Sequence, residues 1–420
     1  MKKKTLDTIK SVIKAELCSG CGLCTIDQTT RGVIYCGKND CLIPKNTDIP
    51  INSLANQICP GKGYDIKGNA EDLFAVDAEY SMPLGYVHSL YATHSVSEEV
   101  LSNASSGGII TQLLLFLLEK KIVDYVSVTQ FVCDKEGVHT HTFLTNSKKD
   151  ILKAQGSKYC PVCFDQLLEE LHSCEGRVAV MATPCVIAGL RAIERRNPNY
   201  LKADVILHIA NFCGGYKSFR NIKRLAKIHR VDYYNLSDFR FRGGGQPGSL
   251  RFVEQSGKTV STPYPLYVGL NGYSKMLRCH LCPDATGELA DIACGDAWIP
   301  RFQNDINTWS MVICRNKRAS DIVKQMRQDG LIVTEDVTPD EVELSQRLNL
   351  ASKKNRQSAR MKLYSRLGYA IPDFNEQGYS LEVSSMKTEM MVYMKHKLTL
   401  WAEKTGLYMT LYGNKKRKKK

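Results

Sequence analysis

The chain has 420 residues, 43% of them hydrophobic and 24% charged, the proportions of a globular protein large enough for two or three cored domains. Its formal charge of +14 is not spread evenly: residues 351–420 hold 16 Lys and Arg against five Asp and Glu. Basicity therefore belongs to the tail, which excludes it as evidence for what the body binds. The charged N-terminal stretch lacks an apolar core long enough for a signal peptide, and the longest apolar run, residues 109–118, is too short to span a bilayer. A cytoplasmic protein is expected. In that compartment sixteen cysteines point to metal or redox chemistry rather than to structural disulfides.

Residues 1–75 contain Cys18, Cys21 and Cys24 at C-x2-C-x2-C spacing, then Cys36 and Cys41, then Cys59-Pro60. This is the bacterial ferredoxin pattern. Three thiolates on a tight loop can wrap one [4Fe-4S] cube, and Cys59 supplies the fourth corner. A zinc site is the alternative, but it usually pairs two C-x2-C knuckles or adds His, and residues 1–86 contain no His. Cys36 and Cys41 are surplus and read as free thiols.

Residues 76–93 read as a linker into a second domain. There Ser105, Ser106, Gly107 and Gly108 precede an apolar helical run at 109–120. Such a helix N-terminus can hold an anion, although a simple Ser cap gives the same pattern. A strand follows at 122–128. Gln155, Gly156, Ser157, Lys158 and Tyr159 form a second polar turn, in which Lys158 could offer its charge to a phosphate. Cys160 and Cys163 then enter a helix at 164–172. Their C-x-x-C spacing also fits a redox disulfide, but no matching fold pattern surrounds it.

Two buried-type strands, 177–183 and 204–212, each run into a helix, at 186–195 and 217–229. A cysteine stands at each junction, Cys185 and Cys213. In open α/β sheets the carboxyl edge of the strands is where ligands bind, and a helix N-terminus favours a thiolate. Together with Cys279 and Cys282, again two residues apart, they make a second set of four. Buried core cysteines are the plainer alternative. The run Gly243–Gly248 matches G-x-G-x-x-G but is rejected as a nucleotide fingerprint, because Pro247 intervenes and a strand, 249–253, follows instead of a helix. That strand pairs with 258–262 as a hairpin. A strand at 309–314 and helices at 319–329 and 338–367 complete the pattern.

Residues 383–412 place Met386, Met390, Met394, Leu398 and Trp401 at helical spacing with Lys395, Lys397 and Lys404 interleaved. A packed or partner-facing helix is the first reading and an interfacial membrane helix the second. The run 415–420 reads as disordered. It could bind a polyanion by charge alone, but nothing in it could read sequence, so no specific nucleic acid is expected.

Taken in order, SSGG before an apolar helix, QGSKY, TPC-x-IAGLR, a strand-ending FC-G, and C-x-x-C-x-D followed by ELADI and GDAW resemble the beta-subunit family of coenzyme F420 hydrogenases and dehydrogenases. That family also resembles the 7-hydroxymethyl chlorophyll a reductases. The resemblance covers about residues 14–330. It implies an α/β body with α+β elements and a mixed sheet that binds FAD beside a [4Fe-4S] cluster, and it allows an N-terminal ferredoxin-like cluster. By motif, Ser105–Gly108, Gln155–Tyr159 and Thr183 become flavin contacts, and Cys185, Cys213, Cys279 and Cys282 ligands of the inner cluster. Two departures stand out. Cys160 and Cys163 fall where no family cysteines are expected, and no His follows Cys213.

The implied protein is an oxidoreductase. Electrons would pass from ferredoxin or a partner subunit through two clusters to FAD and on to a small organic acceptor, in either direction. A non-catalytic relay subunit is the alternative, and a zinc-bearing nucleic-acid binder a more distant one. Asp296 is a weak general-acid candidate. The expected division is 1–75 for the ferredoxin-like part, 76–335 for the flavin and cluster part, and 336–420 for a helical extension whose basic tail docks a partner or a membrane surface.

Overall fold

The computed structural model describes residues 5–27, 32–36, 40–268, 275–375, 385–405 and 407. Its centre is an eight-stranded sheet. In chain order the strands are β1 (Ser89–Ser95), β2 (Tyr125–Asp134), β3 (Gly137–Thr145), β4 (Gly176–Ala182), β5 (Ala203–Asn211), β6 (Ile292–Asp296), β7 (Ser310–Cys314) and β8 (Ile332–Asp336). They lie side by side as β8-β1-β7-β6-β5-β4-β2-β3. The four middle strands, β6, β5, β4 and β2, are parallel, and both flanks join antiparallel. This is the mixed α/β architecture expected.

The parallel strands are apolar on both faces because helices cover both. Val178, Val180 and Ala182 of β4 pack with Ile187, Leu190 and Ile193 of helix Pro184–Arg196. Ala179 of β4 and Leu207 and Ile209 of β5 face the other way, toward Leu113, Phe116 and Leu117 of helix Ile109–Glu119. Thr183 makes no side-chain cap on the first of these helices. Packing therefore holds it, each buried aliphatic side chain contributing about 1.5–3 kcal/mol.

The hairpin expected after the glycine run is present. Leu236–Gly243, Ser249–Glu254 and Thr259–Pro263 form a three-stranded antiparallel sheet over a core of Phe239, Phe241 and Phe252. The N-terminal helices do not have a core apart from the body. Leu23, Ile26 and Ile58 belong to the same apolar cluster as β4 and its helix.

The stretch expected to be helical over 338–367 is broken into Pro339–Ser345, Arg347–Leu350, a π-helical turn at Ala351–Asn355, and Gln357–Arg366. Helix Met386–Lys404 follows. Its methionine stripe does not pack inward: Met394, Leu398 and Trp401 are 51%, 61% and 58% exposed. The buried Glu389 anchors it instead, accepting from Arg356 (2.6 Å) and Arg360 (2.9 Å). Among the described residues no helix is long and apolar enough to cross a membrane. The run 415–420 and the side chain of Cys36 lie outside the described residues.

Candidate functional site

The first thiol set is built locally. Helix Ile9–Lys14 ends at Ala15, and the chain turns through Cys18–Gly22 into a short 3-10 turn, Leu23–Ile26. Gly22 has φ +79°, and a Cβ there would lie 2.7 Å from Cys163 Sγ and 2.9 Å from the Asp165 nitrogen. Only glycine allows that approach. Cys59 follows helix Leu54–Ile58 and begins the turn Pro60–Lys62. The four thiols act on one another. Burial pushes Cys18 and Cys24 up, and in both cases Cys21 and Cys59 add to the effect. Burial and the neighbouring Cys21 push Cys59 up to about 11.

The second set is assembled by the sheet. Cys185 stands in the first turn of the helix after β4, with the Thr183 hydroxyl 3.5 Å from its sulfur. Cys213 follows β5, its amide donating to Ala285 O (2.8 Å). Cys279 lies in the turn Leu277–His280, and Cys282 Sγ is 3.8 Å from Asp284 O. Gly215 (φ +89°) lets the Cys213 loop close on this turn, since a Cβ there would lie 2.7 Å from Cys279 Cβ. Burial raises Cys185 and Cys279, with Cys213 and Cys282 adding to both. Cys282 is driven the other way: burial opposes its charge, but Lys353 and Arg278 outweigh that and lower it.

Buried cations crowd this second set. Lys353, 1% exposed, donates to Asp284 O (2.5 Å). Its own burial disfavours the charge, yet Cys282, Cys213 and Cys279 hold the ammonium above its usual value. Lys275 is lowered to about 8 by burial and by Lys353. Lys353 comes from the π-helical turn, which no spacing in the sequence singled out. Among the described residues no group of three or more His, Cys, Asp or Glu is gathered around a point for a single metal ion.

The polar loops lie along one edge. Ser105 Oγ accepts from the Ser157 amide (3.2 Å), so the SSGG and QGSKY segments meet. Several of their groups already have protein partners. Ser106 Oγ donates to Trp309 O (2.7 Å), and the Gly107 amide donates to Ser310 Oγ (3.0 Å). Gln155 Nε2 donates to Val100 O (2.8 Å). Lys158 does not extend outward as expected. Its Nζ turns back to the carbonyls of Ala154 and Gly156, and burial, aided by Arg240, holds it down to about 7. Gly156 has φ +90° and packs on Arg242 O; Thr183 stands with Cys185, at the second thiol set.

Arg242 was missed in the sequence. It is 1% exposed and donates to Ser105 O, to Pro247 O (2.8 Å) and to Asp296 Oδ2 (2.7 Å). Its guanidinium lies 4.4 Å from the Tyr264 ring centre, and Tyr264 stacks with Trp298 at 5.8 Å. Asp296 is thus half of an ion pair. The glycine run that failed as a fingerprint has a different use, since the Gly245 amide donates to Ser102 O (2.7 Å) and closes on the SSGG loop. The only advance signal for Arg242 was its place in a strand entering that run.

Cys160 and Cys163 are both free, and they point apart. Cys160 is fully buried in the aromatic core under the three-stranded sheet. Cys163 lies against the first thiol set, with the following amide, Phe164 N, donating to Cys21 O (2.8 Å). A cavity of about 190 Å³ opens away from the polar loops, lined by Cys18, Cys41, Lys275, His280, Tyr369 and His396.

With fold and site described, the class is clear: the chain belongs to the coenzyme F420 hydrogenase/dehydrogenase beta-subunit family. The model of that family's N-terminal part matches residues 90–169 and that of its C-terminal part residues 175–340. Among individual proteins, the coenzyme F420 hydrogenase subunit beta of Methanococcus voltae is 23% identical over 303 residues, covering 69% of this chain and 100% of that protein. The F420-dependent formate dehydrogenase 1 subunit beta of Methanococcus maripaludis is 22% identical over 296 residues, covering 69% of this chain and 72% of its own length. A chain of the F420-reducing [NiFe] hydrogenase complex from Methanosarcina barkeri shares the fold, with a TM-score of 0.54 at 20% identity, over 70% of this chain and 98% of that one.

Proposed function

We propose that the chain is an iron–sulfur flavoprotein of an oxidoreductase, taking electrons from ferredoxin or a partner redox subunit and delivering them to a small organic acceptor of the F420 type, or the reverse. One observation carries this reading. Eight cysteines gather as two sets of four, part-buried or buried, each thiol within the electrostatic reach of others in its set. Burial alone makes such thiolates unfavourable, and the buried Lys353 and Arg278 need a negative counterpart. A cluster with thiolate corners meets both needs.

Cys18, Cys21, Cys24 and Cys59 would hold one [4Fe-4S] cluster, and Cys185, Cys213, Cys279 and Cys282 the other. When bound, the clusters carry single electrons, and FAD holds two and exchanges them as hydride. For FAD the fit lies at the sheet edge. Gly244 and Gly245 face open space, Trp298 is 42% exposed beside Tyr264, and Arg242 fixes the Ser105 and Asp296 loops around them. A planar, phosphate-bearing cofactor suits these groups. The cavity at Cys18 is a fitting approach for the electron partner. We retain the division at 75 and 335, with the third part contributing Lys353 to the second.

A relay subunit without flavin is the second reading, favoured by the engagement of Ser106, Gly107 and Lys158 with protein groups. Iron, acid-labile sulfide and flavin analysis of anaerobically purified protein decides. Two clusters with one FAD are expected. Clusters without flavin would select the relay, and zinc without iron would overturn both.

A further inference from the structure

The two thiol sets are joined by two side chains. Arg278 immediately precedes Cys279, and its guanidinium crosses to the other set. Its Nε and Nη2 both donate to Pro60 O, at 2.9 and 2.6 Å, and Pro60 follows Cys59. Tyr216 stands three residues after Cys213, and its hydroxyl donates to Ser19 O, the residue after Cys18. Each side chain thus runs from a ligand segment of the second set to a ligand segment of the first.

Arg278 is also held in place. It is 2% exposed, and Phe374 and Tyr64 lie against it, their ring centres 4.9 and 6.0 Å from the guanidinium carbon. Tyr64 is tied in turn to Asp284 Oδ2 at 3.3 Å. A buried, immobile cation interacts over longer range than a solvated one, because little water screens it. The charge of Arg278 reaches Cys21 and Cys59 on one side and Cys185 and Cys282 on the other. Lys353 offers a built-in contrast. It is equally buried, but it acts on Cys213, Cys279 and Cys282 of the second set.

We propose that Arg278 is a shared positioning residue for both cluster sites. It holds the two cysteine cages at one fixed separation and applies one positive charge to both, so that their reduction potentials are set together. Tyr216 is the second strut. A cluster gains negative charge on reduction, so a fixed cation nearby favours the reduced form. Removing the cation must lower the potential of every cluster it faces. This inference rests on the two-cluster reading above.

The test is a potentiometric titration followed by electron paramagnetic resonance on the full-length, anaerobically reconstituted protein. Cys21→Ser and Cys279→Ser, each removing one signal, assign the two spectra. Arg278→Met should shift both midpoint potentials downward, and Arg278→Lys, which keeps the charge, should hold both near their wild-type values. Lys353→Met should lower the second-set potential and leave the first in place. An iron-replete Arg278→Met protein in which either potential stays at the wild-type value overturns the proposal. Should that variant not load iron, the wild type decides. Fully reduced protein should show spectra broadened by spin coupling between two centres held close, and two independent, unbroadened spectra overturn the shared strut. The parent reading fails differently: wild-type iron amounting to one cluster per chain refutes the two-cluster assignment itself.

Discussion

The two thiol sets reach a similar end by opposite routes. The first uses the seven-residue stretch Cys18–Cys24 plus Cys59, and its geometry is written in local spacing and in the turn at Gly22. The second takes one cysteine from the end of β4, one from the end of β5 and two from the segment that leads into β6. Their surroundings differ as well. Lys353 and Lys275 bear on the second set, whereas Cys59 feels Lys62 and the shared Arg278. A local loop sets the spacing of its thiols by itself, although here it packs on the same core as the body. A site assembled across strands inherits the stability of the sheet and can be surrounded by charges from anywhere in the chain.

The largest test of this contrast is ligand deletion. Cys21→Ser and Cys279→Ser should each remove about half of the bound iron, by complementary halves, as read by metal analysis and by loss of one paramagnetic signal. Equal loss of both clusters from either variant would mean the sets are not separate. The next test attacks the sheet. Asp291 precedes β6 and accepts two bonds from Arg191 Nη2, both at 3.0 Å, and one from the His208 amide at 2.7 Å. It thereby locks β6 to β5. Asp291→Asn should destabilise the protein by roughly 3 kcal/mol in denaturant unfolding, as expected for a broken, largely buried ion pair. Iron loss should begin at the second set.

Acidity probes the same lock. Against the cost of burial, Arg191 and His208 hold the Asp291 carboxyl at about 2, below its ordinary 3.8. A depressed carboxylate stabilises the fold above its unfolded pKa, and that stability is lost as pH falls from about 3.8 through about 2. The loss is about 2 kcal/mol. Asp291→Asn should flatten this part of the pH–stability curve.

The first set should respond to a local change. Gly22→Ala forces a Cβ against Cys163 Sγ and the Asp165 amide, at a positive φ. A cost of about 1–3 kcal/mol is expected, with first-set iron lost and the second-set signal retained. The smallest effect belongs to the sheet edge. Trp298→Ala removes an exposed stacking ring worth about 0.5–1.5 kcal/mol, so flavin retained through gel filtration should fall several-fold while iron content stays unchanged.

The buried-type strands β4 and β5, the hairpin after the glycine run and the C-x2-C-x2-C loop were all legible because each depends on near neighbours. The family motifs carried the rest of the α/β frame. What could not be read was where long side chains end. Lys158 looked like a charge offered to a phosphate, but it curls onto the carbonyls of its own turn. The methionine stripe of helix Met386–Lys404 looked like a face packed on the body or turned to a partner; it does not pack on the body, and a buried Glu389 between two arginines holds that helix. Lys353, Arg278 and Arg242 carry no local pattern, because a buried cation is defined by what surrounds it.

By itself the sequence determined four of the eight central strands, β2, β4, β5 and β7, together with the family and which cysteines come in closely spaced groups, since hydrophobic period and short loops are local properties. Residues 76–93 read as a linker, although most of β1 lies there, flanked by β7 and β8. Only the tertiary structure decided that Cys185 and Cys213 meet Cys279 and Cys282, that residues beyond 335 supply a lysine to them, and that one arginine spans both sets. Those outcomes depend on strand order and on the crossing of distant segments, and charge acts through space, without regard to position along the chain.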